Sequence, residues 1–170
     1  MATRNISSEK QPVEQVVLIT REFDAPPESV WKAWTDCDRL MGWWGPKDFT
    51  TPTCKINLRP GGQFQNCMRS PEGRDYCSKS IYREVIPLDR MVFTDSFADE
   101  QGNIVPATHY GMSAEYPVEM LVSVTFEEID GETKLSLQHK LGPVPASERD
   151  LCEQGWSESL DKLASYLTKA

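Results

Sequence analysis

Between Phe23 and Pro46 the chain reads FDAPPESVWKAWTDCDRLMGWWGP, a stretch that holds four of its five tryptophans. So much aromatic surface on so short a segment demands a broad apolar partner, since each such ring buries ~150–250 Å². The local signals divide it into pieces. Val16 to Phe23 is β-branched and apolar and predicts a first strand. Ala25-Pro26-Pro27 stops that strand, and proline suits the first turn of the helix that follows. Glu28 complements the helix dipole, and Val30, Trp31 and Trp34 form an apolar stripe at helical spacing. Thr35-Asp36-Cys37-Asp38 resembles a capping box that restarts the chain as a second short helix. Leu40, Met41, Trp43 and Trp44 load one face of that helix, and Gly45-Pro46 ends it.

From Phe49 the apolar period changes to two, which predicts strands over 49–58, 62–69, 76–86, 90–97, 118–129 and 132–139. Arg59-Pro60-Gly61-Gly62 marks a hinge between the first two, with Arg59 expected to tie the bend. Pro71-Glu72-Gly73 and Pro87-Leu88-Asp89 make hairpin tips. Asp130-Gly131 is the strongest turn signal, a two-residue hairpin loop whose residues tolerate positive φ. Residues 98–117 form a long polar loop, and a loop of that length is usually functional or mobile. Ser147 to Leu167 predicts the one long helix, with Cys152, Trp156, Leu160, Leu163 and Leu167 along one stripe. Strands closed by a helix imply an α+β fold: a curved antiparallel sheet of about seven strands around the C-terminal helix.

Bulk properties narrow the function. With 170 residues the chain is most simply one domain, expected over 15–170 behind a flexible tail at 1–14. A net charge of -8 argues against nucleic acid and anionic membranes, which select clustered Lys and Arg. No apolar run approaches the ~20 residues of a membrane span, and the polar N-terminus lacks a secretory signal core. The five cysteines (Cys37, Cys54, Cys67, Cys77, Cys152) are odd in number and irregular in spacing. Reduced thiols in the cytoplasm are the expectation. Cys67 and Cys77 are opposed across a hairpin tip, close enough to bridge but expected to be free. No Cys/His cluster suggests a metal.

The set Phe23-Asp24-Ala25-Pro26, Val30-Trp31, Trp34-Thr35-Asp36, Trp43-Trp44-Gly45-Pro46, Leu58-Arg59-Pro60-Gly61-Gly62, Glu84-Val85-Ile86-Pro87, Val124-Thr125-Phe126-Glu127 and Gly155-Trp156 with Leu160 spans nearly the whole chain. It resembles the START-like superfamily (SRPBCC, helix-grip, Bet v 1-like), most closely the branch named after the C-terminal domain of the activator of Hsp90 ATPase. Asn57 departs from the acidic residue common there. The resemblance implies a helix-grip fold. It is a weak guide to activity, because the superfamily includes lipid carriers, hormone receptors, cyclases and the chaperone activator. The N-terminal domain of the true activator is absent, so stimulation of an Hsp90 ATPase is not expected.

The Asp130-Gly131 turn fixes a register that pairs Phe126 with Leu135, Val124 with Leu137 and Val122 with His139. That apolar face, with Met120, points to the helix and any cavity. His139 then ends a strand on the inner face, either as a polar handle or base or as a histidine bonded to backbone. Asp95 shares a face with Met91, Phe93 and Phe97; it could orient a ligand, but solvent near the strand end is the favoured placement. His109 is expected at the surface. Nothing pairs a nucleophile with a base, so no catalytic residue is assigned. The leading expectation is a binding protein for an apolar or aromatic small molecule, without cofactor or metal. Its candidate ligand contacts are Trp43, Trp44, Phe64, Phe93, Asp95, Met120, Val122, Val124, His139 and Trp156. A cyclase- or hydrolase-like enzyme and a chaperone-associated interaction domain are the alternatives, and a homodimer is compatible with the chain.

Overall fold

A computed structural model describes residues 13–169. Most of the tail expected over 1–14 therefore lies outside the described residues. Strand β1 (Gln15–Phe23) leads into helices α1 (Pro27–Thr35) and α2 (Cys37–Leu40). Six strands follow the helices: β2 (Thr50–Ile56), β3 (Gln63–Arg69), β4 (Asp75–Ile86), β5 (Arg90–Ala98), β6 (Met120–Ile129) and β7 (Glu132–Gly142). The chain ends in α3 (Ala146–Lys169). The seven strands form one antiparallel sheet in the order β1-β7-β6-β5-β4-β3-β2. Every neighbour is a hairpin partner except β1, which crosses α1 and α2 and all the other strands to pair with β7.

The local signals act where the sequence places them. Pro27 opens α1, and the Asp36 carboxylate caps α2 by accepting from the Asp38 N–H at 3.0 Å. Asp130 and Gly131 adopt φ of 53° and 84°, the turn that sets Phe126 opposite Leu135, Val124 opposite Leu137 and Val122 opposite His139. Gly62 has a steric cause: a Cβ there would lie 2.0 Å from the Asn57 carbonyl oxygen, so the hinge after Arg59 admits no side chain. Register shifts between Tyr82 and Glu84 and between Thr50 and Thr53 add bends to the sheet.

The main core lies between the inner sheet face, α1–α2 and the C-terminal half of α3, where Leu160 and Leu163 are fully buried. Aromatic rings dominate it. Trp34 packs edge-on to Trp43 and Trp44, at 5.1 and 5.6 Å between centroids, and stacks on Trp156 at 6.0 Å. Trp43 adds a hydrogen bond from its Nε1–H to the Ala33 carbonyl at 2.9 Å. A smaller cluster of Val17, Met120, Leu141 and Val144 sits under the first turns of α3. Lys162 on α3 donates to three carbonyls, those of Gly45, Pro46 and Phe49, at 3.0–3.2 Å, and so holds the loop after α2 against the helix.

The expectation of reduced thiols is corrected. Cys37 is bonded to Cys54, joining α2 to β2, and Cys67 is bonded to Cys77. The second pair follows from register, since Cys67 and Cys77 are direct cross-strand partners with Cα atoms 4.0 Å apart. The first pair could not be read from spacing, because it depends on how α2 docks on the sheet. Cys152 is the free cysteine among the described residues.

Two tests follow from this packing. Trp34→Ala should destabilise the protein by about 3–5 kcal/mol, read from the urea midpoint, because a fully buried ring leaves a large hole. Thiol titration in denaturant should find one reactive cysteine without reductant and five after reduction; five in both would refute the cystines.

Candidate functional site

The N-terminal half of α3 does not close on the sheet. Between it, the inner face of β3–β7 and the loop after α2 lies a cavity of about 410 Å³. That volume is within the ~300–1,000 Å³ range of small-molecule sites. Its walls are largely apolar: Trp44 and Phe49 on one side, Met68, Phe97 and Met120 from the sheet, and Trp156 from the helix. Met112 and Tyr116 of the long loop reach its mouth opposite Leu151. That loop is partly ordered by a 3₁₀ turn at Ala107–Tyr110, where the Tyr110 hydroxyl donates to the Ala98 carbonyl at 2.5 Å.

One polar cluster interrupts this wall. His139 is 4% exposed. Its Nδ1 accepts from the Trp156 Nε1–H at 3.0 Å and lies 3.6 Å from the Cys152 Sγ. Its Nε2 is 3.3 Å from an Asp95 carboxylate oxygen but outside hydrogen-bond geometry, so this buried nitrogen has no hydrogen-bond partner.

The ring's charge is contested by its neighbours. Burial works against the imidazolium, while Asp95 and Cys152 favour it, and together they push His139 up to about 10. Trp156 opposes that charge, because its N–H can be accepted only by an Nδ1 with a lone pair. A protonated Nδ1 would meet the indole N–H proton to proton. The two influences oppose each other: the carboxylate favours a charged ring, and the indole N–H favours a neutral one protonated on Nε2. Tyr116 is held protonated: burial raises its phenol, and Cys152, Glu148 and Asp95 add to the rise.

Of the sequence-derived contacts, Trp44, Asp95, Met120, His139 and Trp156 line the cavity. The others lie elsewhere. Trp43, Phe64, Phe93, Val122 and Val124 are buried in the main core, because α1 and the C-terminal half of α3 fill the space beneath them. Asp95 turns inward rather than to solvent, with its side chain 23% exposed and opposite His139. His139 bonds to side chains rather than backbone. Sequence reasoning missed Cys152 as a neighbour of His139. The signal was there in part, since Cys152 and Trp156 are one turn apart on α3, but the helix's docking decides which strand residue they meet. Among the described residues no group of three or more His, Cys, Asp or Glu side chains is placed to hold a metal ion, and no helix is long and apolar enough to cross a membrane.

With this geometry in place, the comparisons with known proteins converge. The profile described as Activator of Hsp90 ATPase homolog 1-like protein matches residues 24–168. The chain belongs to this family. Among solved structures, a protein from Arthrobacter aurescens is similar with a TM-score of 0.77 at 23% identity, over 95% of this chain and 91% of that one. An AHSA1 protein from Silicibacter pomeroyi has a TM-score of 0.71 at 25% identity, over 90% and 97%. Protein CV1439 from Chromobacterium violaceum gives 0.71 at 25%, over 90% and 96%. No curated protein matches the sequence significantly. The family sets the START-like fold; these neighbours' names carry no ligand.

Tyrosine ionisation checks the electrostatics. Tyr116 and Tyr82 are both raised, Tyr82 by burial. Of the five tyrosines, two should stay protonated where free phenols ionise, near pH ~10. Because their folded values are raised, the stability they contribute is full below that pH and falls as pH rises beyond it. Absorbance at alkaline pH showing five equivalent phenols in the folded protein would contradict it.

Proposed function

We propose that this protein, with residues 15–170 acting as one domain, binds an apolar or aromatic small molecule between the inner sheet face and α3. The observation that carries the reading is an apolar cavity of about 410 Å³ with a few polar side chains, among them Asp95, Tyr116 and His139, on its wall. The apolar wall supplies affinity by releasing water from the ligand and from Met68, Phe97 and Met120. Asp95 and the Tyr116 hydroxyl supply orientation, one accepting and the other donating. Trp44 and Trp156 offer ring faces and edges to a flat ligand. The chaperone-interaction reading is weaker, because the distinctive feature is a concave apolar cavity rather than a broad apolar patch.

The acidic surface favours a cytoplasmic location. A reducing cytosol keeps such cysteine pairs as thiols, so alkylation of thiols in intact cells before lysis reads the compartment directly.

Flat apolar compounds should change tryptophan fluorescence saturably, with micromolar affinity corresponding to about -8 kcal/mol. Met120→Ala should shift that affinity; Lys134→Ala, on the outer face of β7, should not. No saturable signal across flavonoids, fatty acids and polyketides would end this reading.

A further inference from the structure

The acidic group on the cavity's wall has no basic counterpart of fixed charge. Among the described residues, Asp95 is the one carboxylate that lines the cavity, and no lysine or arginine lines it. The cations that flank the site along α3 are engaged elsewhere. Arg149 pairs with Asp150 and Glu153 and donates to the Val16 carbonyl, and Lys162 holds the carbonyls of Gly45, Pro46 and Phe49. We propose that the cavity selects a cation: an apolar or aromatic amine whose ammonium group sits against Asp95. The proposal rests on the ligand-binding reading of the same cavity and adds the charge its ligand carries.

His139 is a poor counter-ion for this carboxylate. Its Nε2 meets Oδ2 of Asp95 at 3.3 Å but outside hydrogen-bond geometry, and its Nδ1 accepts the Trp156 N–H, a bond that a doubly protonated ring loses. Oδ1 of Asp95 accepts from no donor among the described residues, and the side chain is 23% exposed, on the cavity. A carboxylate in that position lacks the donors it would have in water, and an ammonium group supplies them as charge-assisted hydrogen bonds.

The surroundings of Asp95 suit the rest of such a ligand. Phe97 lies two residues further along β5 and so on the same face, and Met120 is the direct partner of Asp95 on β6. The Phe97 and Tyr116 rings meet at 84° with centroids 5.4 Å apart, two walls of an aromatic corner. Trp156 adds a ring from α3. Ring faces carry negative potential and attract a cation, and thioethers are polarizable. An anionic ligand meets the same carboxylate and the same ring faces as repulsion. The Tyr116 phenol senses this field: burial raises it first, and Cys152, Glu148 and Asp95 add to the rise, the direction that negative neighbours give. The net charge of -8 draws cations toward the protein as a whole.

Three biphenyls that differ in charge at one end are the probes: 4-phenylbenzylamine, a cation at neutral pH, the neutral 4-phenylbenzyl alcohol, and the anion 4-phenylbenzoate. Titration calorimetry at about 0.15 M ionic strength, where distant surface charges are screened, reads their affinities. The amine should bind at least about 10-fold tighter than the alcohol, the scale of a hydrogen bond to a charged group with ring contacts added, and the benzoate should bind more weakly than the alcohol. Asp95→Asn keeps the shape, removes the charge and should bring the amine-to-alcohol ratio close to one. Glu72→Gln removes the same charge from the exposed β3–β4 hairpin tip and should leave the ratio at its wild-type value. Should Asp95→Asn not fold, the ranking of the three probes on wild type carries the test. If the alcohol binds as tightly as the amine, or the ratio survives Asp95→Asn, cation selection at Asp95 is wrong and apolar binding stands. If none of the three binds saturably, both readings fall.

Discussion

The contact on which the fold depends is made by Trp34. Its ring touches Trp43 and Trp44 from the short helical corner, Phe126 from the sheet and Trp156 from the long helix. Each such aromatic pair adds ~0.5–1.5 kcal/mol beyond simple area burial. The indole N–H of Trp34 is buried with no hydrogen-bond partner, a cost of about 1–3 kcal/mol. The site tolerates that cost because four contacts to three separate parts of the chain meet there. The corner, the sheet and α3 are held relative to one another by aromatic rings more than by hydrogen bonds.

The same cluster explains why a cavity exists at all. Bulky rings hold α3 off the sheet, and its C-terminal half fills the gap with Leu160 and Leu163. Toward its N-terminus three of the positions on the cavity, Ser159, Gly155 and Cys152, are small, beside the larger Trp156 and Leu151. Small residues on a helix held at a distance set by tryptophans leave space. The polar cluster sits in that space, and Trp156 belongs to both systems: one side of its ring stacks on Trp34 while its N–H holds His139.

Much of the fold was legible because local chemistry dictated it. The Asp130-Gly131 turn fixed the β6–β7 register, and the prolines and Asp36 set the ends of the short helices. The site was legible only as a face. Alternation says that Val122, Val124 and His139 point inward; it does not say that α1 and α3 cover the first two and leave the third on a cavity wall. The Cys152–His139 contact and the Cys37–Cys54 bond lie across elements whose separation is set by packing. Asp95 was misplaced for a related reason. A carboxylate near a strand end normally finds water, and only the opposing histidine from β7 gives it a reason to face inward.

Lys162 gives the cavity a mechanical asymmetry. The ammonium is satisfied by three carbonyls of the segment from Gly45 to Phe49, and that segment is also a wall. Pulling wall from helix would strip a charge of its partners in a partly desolvated place. Wall and helix therefore behave as one stiff piece. The sheet side is tied differently: Met68, Phe97 and Met120 line it with apolar side chains, and the Trp156 N–H bonded to His139 is the link to the helix at the cavity's polar corner. The cavity wall is thus anchored at the Lys162 loop and at His139, and what give it has lies on the methionine side of the sheet.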